Sequence, residues 1–296
     1  MVISDNIPLS EAFPWAAMRR QAKANLTPPT ASFRGKTVLL VGATGVILSD
    51  AARILNQLNV STFILAVRNV AKGEALANEL RGNRKDFEGS ELTIKVLEID
   101  LLSFDSVKRF AAIVTQLQTR IDAIVMGSAI MNDETRMTAD GWEETLQLVH
   151  LSSALLIVLL LSKLLADGER HPVVVSSLTS SAIRSAAPMI SLPDDAKDSY
   201  MEQVSRVEDA AIQKSYQYGI AKLIHASWIR ELCHRQMPAM EGRVHFHQLD
   251  PGVCLTPLSS HVFVGRLLLW FIGRPVKISW IHGSASWIGT STEDME

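Results

Sequence analysis

Thr37-Val38-Leu39-Leu40-Val41-Gly42-Ala43-Thr44-Gly45-Val46-Ile47-Leu48 is the stretch on which the fold turns. Its first five residues read as a buried strand, the glycines that follow as a turn, and the pattern from Val46 to about Leu58 as a helix. Strand, glycine turn and helix start are the parts of a dinucleotide site, because backbone amides at a helix N-terminus can face a pyrophosphate. Gly42, Thr44, Gly45, Val46 and Ile47 are therefore candidate cofactor contacts. Leu48 stands where a G-x-x-G-x-x-G turn has its third glycine, and a leucine there is expected to crowd either the pyrophosphate or the packing of helix on strand.

Working outward, a second strand over 61–67 ends at Arg68-Asn69. A basic residue at that strand end suits a 2'-phosphate where an acidic one would suit a free ribose hydroxyl, so Arg68 argues for NADP over NAD. Helices follow over 70–80, 104–117 and 141–165, alternating with strands over 92–99, 121–126, 172–176 and 243–249. The third strand closes with Asp100-Leu101, and the fourth runs into Gly127-Ser128-Ala129, small residues that would let backbone approach a cofactor. Strands alternating with helices of this length imply an α/β fold, a parallel sheet covered on both faces. Residues 1–34, with Pro8, Pro14, Pro28 and Pro29, read as an arm laid over a domain spanning 35–260. A polar section over 184–215 is too long for a structureless connection, and is expected to hold a helix and act as a lid. The apolar segment over 261–296 is assigned to the substrate side.

Tyr218-Gly219-Ile220-Ala221-Lys222 carries the chemistry, together with Ser177, which ends an apolar run 41 residues before the tyrosine. Tyr and Lys four apart lie on one helix face, so the ammonium can sit beneath the phenol and favour its ionised form. An ordinary tyrosine titrates near pH ~10 and needs such a neighbour to exchange protons at neutrality. A serine hydroxyl from a neighbouring strand end would orient a carbonyl oxygen, completing a carbonyl-reducing constellation.

The totals exclude several other classes. The chain of 296 residues is 47% apolar and carries a net charge of -2, which leaves no electrostatic footprint for nucleic acid. Cys233 and Cys254 show neither metal spacing nor a disulfide framework and fit a reducing, cytoplasmic compartment. His245 and His247 share one side of a strand but are too few for a zinc site, so no metal is expected. The N-terminus lacks a basic region followed by an apolar run and does not read as a signal peptide. The apolar stretch over 151–165 falls short of the ~20 residues of a membrane span and reads as a buried or subunit-packed helix; membrane association is not expected. Val262 to Ile272 reads as the wall of an apolar pocket.

Taken in order, Gly42-Ala43-Thr44-Gly45, Arg68, Asp100-Leu101, Ser177, Tyr218-x-x-x-Lys222 and Pro251-Gly252-x-x-x-Thr256 resemble the short-chain dehydrogenase/reductase family over roughly residues 35–258. Leu65 to Asn69 and Tyr218 to Leu232 look closest to its retinol dehydrogenase-like and WW-domain oxidoreductase-like branch. The resemblance implies a Rossmann-like doubly wound sheet of order 3-2-1-4-5-6, with six strands or seven, and hydride transfer between NADP(H) and a carbonyl or alcohol carbon. By that analogy Ser177 holds the substrate oxygen, Tyr218 passes the proton, and Lys222 grips the nicotinamide ribose and lowers the tyrosine pKa. Asp100 and Leu101 would flank adenine, Ser128 would line the fourth strand's end, and Pro251, Gly252, Val253 and Thr256 would meet the nicotinamide end. It further implies a homodimer or homotetramer built on the 151–165 helix and the Tyr218 helix.

Three departures stand out: Leu48, the Met126-Gly127-Ser128-Ala129 stretch in place of Asn-Asn-Ala-Gly, and Val149 at the family's catalytic asparagine, beside His150. Valine cannot hydrogen-bond the water that asparagine would hold. The leading expectation is an NADP(H)-dependent reductase of a hydrophobic ketone or aldehyde, or the reverse dehydrogenase, in specialised metabolism. The alternatives are a non-redox isomerase or cyclase on the same scaffold and a cofactor-binding pseudoenzyme.

Overall fold

The computed structural model describes residues 29–84, 91–131, 135–166, 171–177, 200–205, 210–236 and 243–249, with Ser177, Tyr200, Gln203, residues 210–216 and Gln236 described by their backbone alone. Most of the N-terminal arm and of the 184–215 section, and all of 250–296 with Pro251, Gly252, Val253 and Thr256, lie outside the described residues.

Six strands form one parallel sheet: β1 (Thr37–Val41), β2 (Thr62–Val67), β3 (Thr93–Glu98), β4 (Ala123–Met126), β5 (Val173–Ser177) and β6 (His245–Leu249). Their order is β3-β2-β1-β4-β5-β6, as the resemblance implies. The pleat explains why β1 is apolar throughout. Val38 and Leu40 join α1 (Val46–Gln57) and α2 (Val70–Gly82) on one face, whereas Leu39 and Val41 join α3 (Phe104–Gln116), α4 (Glu144–Leu165) and later helices on the other. The chain order reverses at β1, whose neighbours are β2 and β4, so the carboxyl ends of β1 and β4 flank the crevice where open α/β sheets bind ligands.

Two sequence readings change. The 141–165 helix starts later, at Glu144, because Glu143 caps it: the Glu143 carboxylate accepts from the Thr145 and Leu146 N–H groups at 2.9 and 2.8 Å. It also contains a π turn over Gln147–Leu151 before resuming as an α-helix over Ser152–Leu165. At 22 residues this helical run is long and apolar enough to cross a membrane by length and composition. Its place, however, is that of the crossover between β4 and β5, with Leu156, Ile157, Leu160 and Leu164 buried in the core.

The polar section is interrupted by α5 (Tyr200–Ser205), the helix expected within it. It also ends sooner than expected, since α6 (Ala210–Gln236) already contains 210–215. Gln213, Lys214 and Ser215 read as loop by polarity, yet none of them opposes a helix strongly.

Candidate active site

Gly42 leaves β1 with φ +85°, a conformation that favours glycine, and a Cβ there would come within 2.4 Å of Ser128 Oγ. The turn is closed by Gly42 N–H donating to Ala66 O and Gly45 N–H donating to Gly42 O, each at 2.9 Å. Gly45 caps α1 in extended conformation, no side chain satisfies the cap, and the first helical turn holds no acidic residue. With Thr44, Val46 and Ile47 half-buried around it, this positive helix end is chemically suited to a phosphate.

Of the two kinds of crowding expected of Leu48, that of helix on strand is absorbed by the fold. Leu48 is 1% exposed and points into the core beneath the turn. A Cβ on Gly127 would lie 2.4 Å from its Cγ and 2.5 Å from its Cδ1. The leucine thus fills room left by the missing side chain at 127, and two of the three departures are halves of one exchange of volume.

Arg68 is exposed, directly after β2 and ahead of Asn69, whose side chain caps α2 by accepting from Lys72 N–H at 2.9 Å. Asp100 stands two residues beyond β3 and organises its own loop: one carboxylate oxygen accepts from Leu102 N–H at 2.9 Å. The Leu101 side chain is buried, and its carbonyl accepts from Ser152 Oγ at 2.6 Å, so Leu101 has only backbone to offer a cofactor. Ser177 closes β5, in register with Leu249 of β6 and one residue beyond the Ser176–Met126 pairing with β4.

Tyr218 and Lys222 come together as their spacing requires. Lys222 Nζ lies 5.7 Å from the centroid of the Tyr218 ring, and the lysine is 4% exposed. Ile220, Ala221, Ile224 and Ile229 anchor α6 in the core. A buried polar network fixes the turn that carries Tyr218: Gln217 Nε2 donates to Glu143 Oε2 at 3.1 Å, and Glu143 N–H donates to Ser205 Oγ at 2.8 Å. The N-cap of α4, the last residue of α5 and the body of α6 are thereby tied beside the candidate tyrosine. Sequence reasoning missed this network; its legible signal was an acidic residue three positions before an apolar helical run.

A second group escaped notice. His225, one turn beyond Lys222, and His150, on the π turn of α4, are both buried with Nδ1 atoms 3.5 Å apart. Trp228 closes the cluster, stacked on His225 at 5.9 Å and edge-on to His150 at 6.0 Å. Burial pushes the Lys222 ammonium down to about 8 and His150 down to about 4. His225 lies well below the usual histidine range through burial first, then through the charges of His150 and Lys222. Among the described residues no group of three metal-ligating side chains occurs.

The short chain dehydrogenase family model matches residues 36–189. The chain is 31% identical to the short-chain dehydrogenase/reductase tropG of Talaromyces stipitatus over 244 residues, 81% of this chain and 72% of the relative. It is 30% identical to the short chain dehydrogenase macD of Penicillium terrestre over 270 residues, 88% and 80% respectively. Among solved structures, the Pseudomonas aeruginosa RhlG/NADP active-site complex superposes with a TM-score of 0.59 at 18% identity, covering 89% of this chain and 94% of that one. A Mycobacterium paratuberculosis protein gives 0.65 at 21%, covering 92% and 82%. The sheet order, the glycine turn at its reversal point and these matches agree: the chain belongs to the short-chain dehydrogenase/reductase family.

Proposed function

We propose that the protein reduces a hydrophobic ketone or aldehyde with NADPH, or oxidises the corresponding alcohol with NADP, in specialised metabolism. The observation that carries this reading is the enclosed Lys222 ammonium beside the Tyr218 ring. Gly42, Thr44, Gly45, Val46 and Ile47 supply a helix end suited to the pyrophosphate, and the exposed Arg68 supplies charge where a 2'-phosphate would sit. A solved neighbour of the same fold is a complex with NADP. Bound there, the nicotinamide supplies the hydride in reduction and accepts it in the reverse direction. Tyr218 donates the proton to the carbonyl oxygen, Ser177 holds that oxygen, and Lys222 keeps positive charge beside the phenol. Self-association through the outer face of α4, where Val158 and Leu159 are exposed, fits the same reading.

Calorimetric titration should give NADPH at least tenfold tighter than NADH, and Arg68→Glu should erase that preference. Lipophilic carbonyls should then be consumed with loss of nicotinamide absorbance. An isomeric product formed with no absorbance change would favour a non-redox enzyme and overturn the reading.

Burial of Lys222 also fixes a pH dependence. The amine is charged in the folded protein only below about pH 8, so kcat/KM for NADPH should fall as pH rises through that value. Stability should move the other way. The unfolded chain still binds the lysine proton up to about pH 10.4. The desolvation penalty of roughly 3 kcal/mol is therefore full below pH 8 and relieved between there and pH 10.4. Activity that held constant to pH 10 would contradict the assigned role.

A further inference from the structure

Under the reading above, each reduction takes a proton from Tyr218, and the site must be recharged from water. Lys222 is enclosed, so its amine exchanges protons through a polar neighbour or not at all. Val149 is buried and offers no hydrogen bond. His225 does: it lies three residues after Lys222 on α6, a spacing that brings two side chains to one helix face. His150 meets it from α4, Nδ1 to Nδ1, at 3.5 Å. The π turn that carries His150 also carries Val149, and such turns interrupt the α-helical register at functional sites.

We propose that His150 and His225 form a positioning pair that conducts protons to Lys222, replacing the water that an amide at position 149 would hold. This rests on the roles given to Tyr218 and Lys222. Two neutral rings facing through Nδ1 can bond only as unlike tautomers, one protonated at Nδ1 and the other at Nε2. A proton entering at the bare Nε2 of His150 releases its Nδ1 proton across the bridge to His225, whose own Nε2 proton passes to the Lys222 amine. One proton enters and one leaves, both rings end neutral with their tautomers exchanged, and no electrons are exchanged; proton exchange with water, net zero, restores the first tautomers before the next transfer. The low basicity of the pair suits this task, because neither ring traps the proton it carries. Among the described residues the charged or titratable groups acting on His225 are His150 and Lys222, with Tyr218 two turns back on the same helix. Trp228 shields the pair.

Two measurements on the full chain test this. Nitrogen-15 histidine spectra without cofactor, between pH 5.5 and 8.5, should show one Nδ1–H and one Nε2–H neutral ring, assigned by their loss in His150→Gln and His225→Asn. Identical tautomers, or either ring charging near its usual pH, would overturn the pair. Kinetically, His225→Phe should leave NADPH affinity within twofold, lower kcat at least tenfold and raise the solvent deuterium isotope effect on kcat. His225→Asn, whose amide can hold a water, should recover part of the loss. Unchanged kcat and isotope effect in His225→Phe, with normal wild-type turnover, would overturn the role of the pair alone. A wild type that binds NADPH yet reduces no carbonyl would overturn the reading of Tyr218 and this inference with it.

Discussion

Tyr218→Phe is expected to lower NADPH-dependent carbonyl reduction by about a thousandfold, within the range of a lost general acid, while leaving NADPH affinity within twofold. The substitution removes one hydroxyl and keeps the ring that lies beside the Lys222 amine. Lys222 therefore keeps its place, and the glycine turn, on a different element, is left unaltered. Loss in kcat with unchanged cofactor binding is the signature of an interaction made in the transition state. Stopped-flow turnover and calorimetry on the same preparation separate the two quantities, and a residual rate within tenfold of wild type would place the proton donor elsewhere. Lys222→Met gives the contrast: it should lose turnover yet gain stability near neutral pH, because a buried cation has been replaced by an apolar chain of similar length.

The sheet was legible because β1 is apolar on both faces and the glycine turn follows it at once, a combination with few structural readings. The pairing of Tyr218 with Lys222 was legible because helical spacing alone brings them to one face. What composition could not convey was contact between remote segments. The π turn is invisible in the periodicity of Leu146 to Leu156, since the polar residues there, Gln147, His150, Ser152 and Ser153, are buried like their apolar neighbours and mark no solvent face. Gln217 and Glu143 are 74 residues apart, and only the fold makes them partners. His225 reads as one polar residue in a helix until His150 is brought against it from another element. Roles assigned to Pro251, Gly252, Val253 and Thr256 rest on the family resemblance.

Leu48 is the clearest case in which a local reading fails for a remote reason, and it yields the second large effect. Gly127→Ala should destabilise the protein by about 2 kcal/mol or more, the range for overpacking a filled core. The new Cβ would meet Leu48 Cγ at 2.4 Å and Cδ1 at 2.5 Å, and Leu48 is enclosed with little freedom to retreat. Leu48→Ala alone should cost about 2–5 kcal/mol by opening a cavity under the turn. In that background the methyl group at 127 enters the vacated space, so Gly127→Ala should become neutral or stabilising. The cycle should therefore show a coupling of about 2 kcal/mol, at the upper end for residues in contact. Urea melts of the four proteins measure it, and additivity within about 0.5 kcal/mol would show that the two positions do not share one volume. Gly42 should behave differently. Its Cβ would strike Ser128, and its φ of +85° opposes any side chain, so Gly42→Ala should remain destabilising whatever stands at 48. Rescue at 127 and none at 42 would separate the two halves of the crest: a packing exchange beneath the turn, tolerant of compensation, and a backbone conformation above it that only glycine supplies without strain.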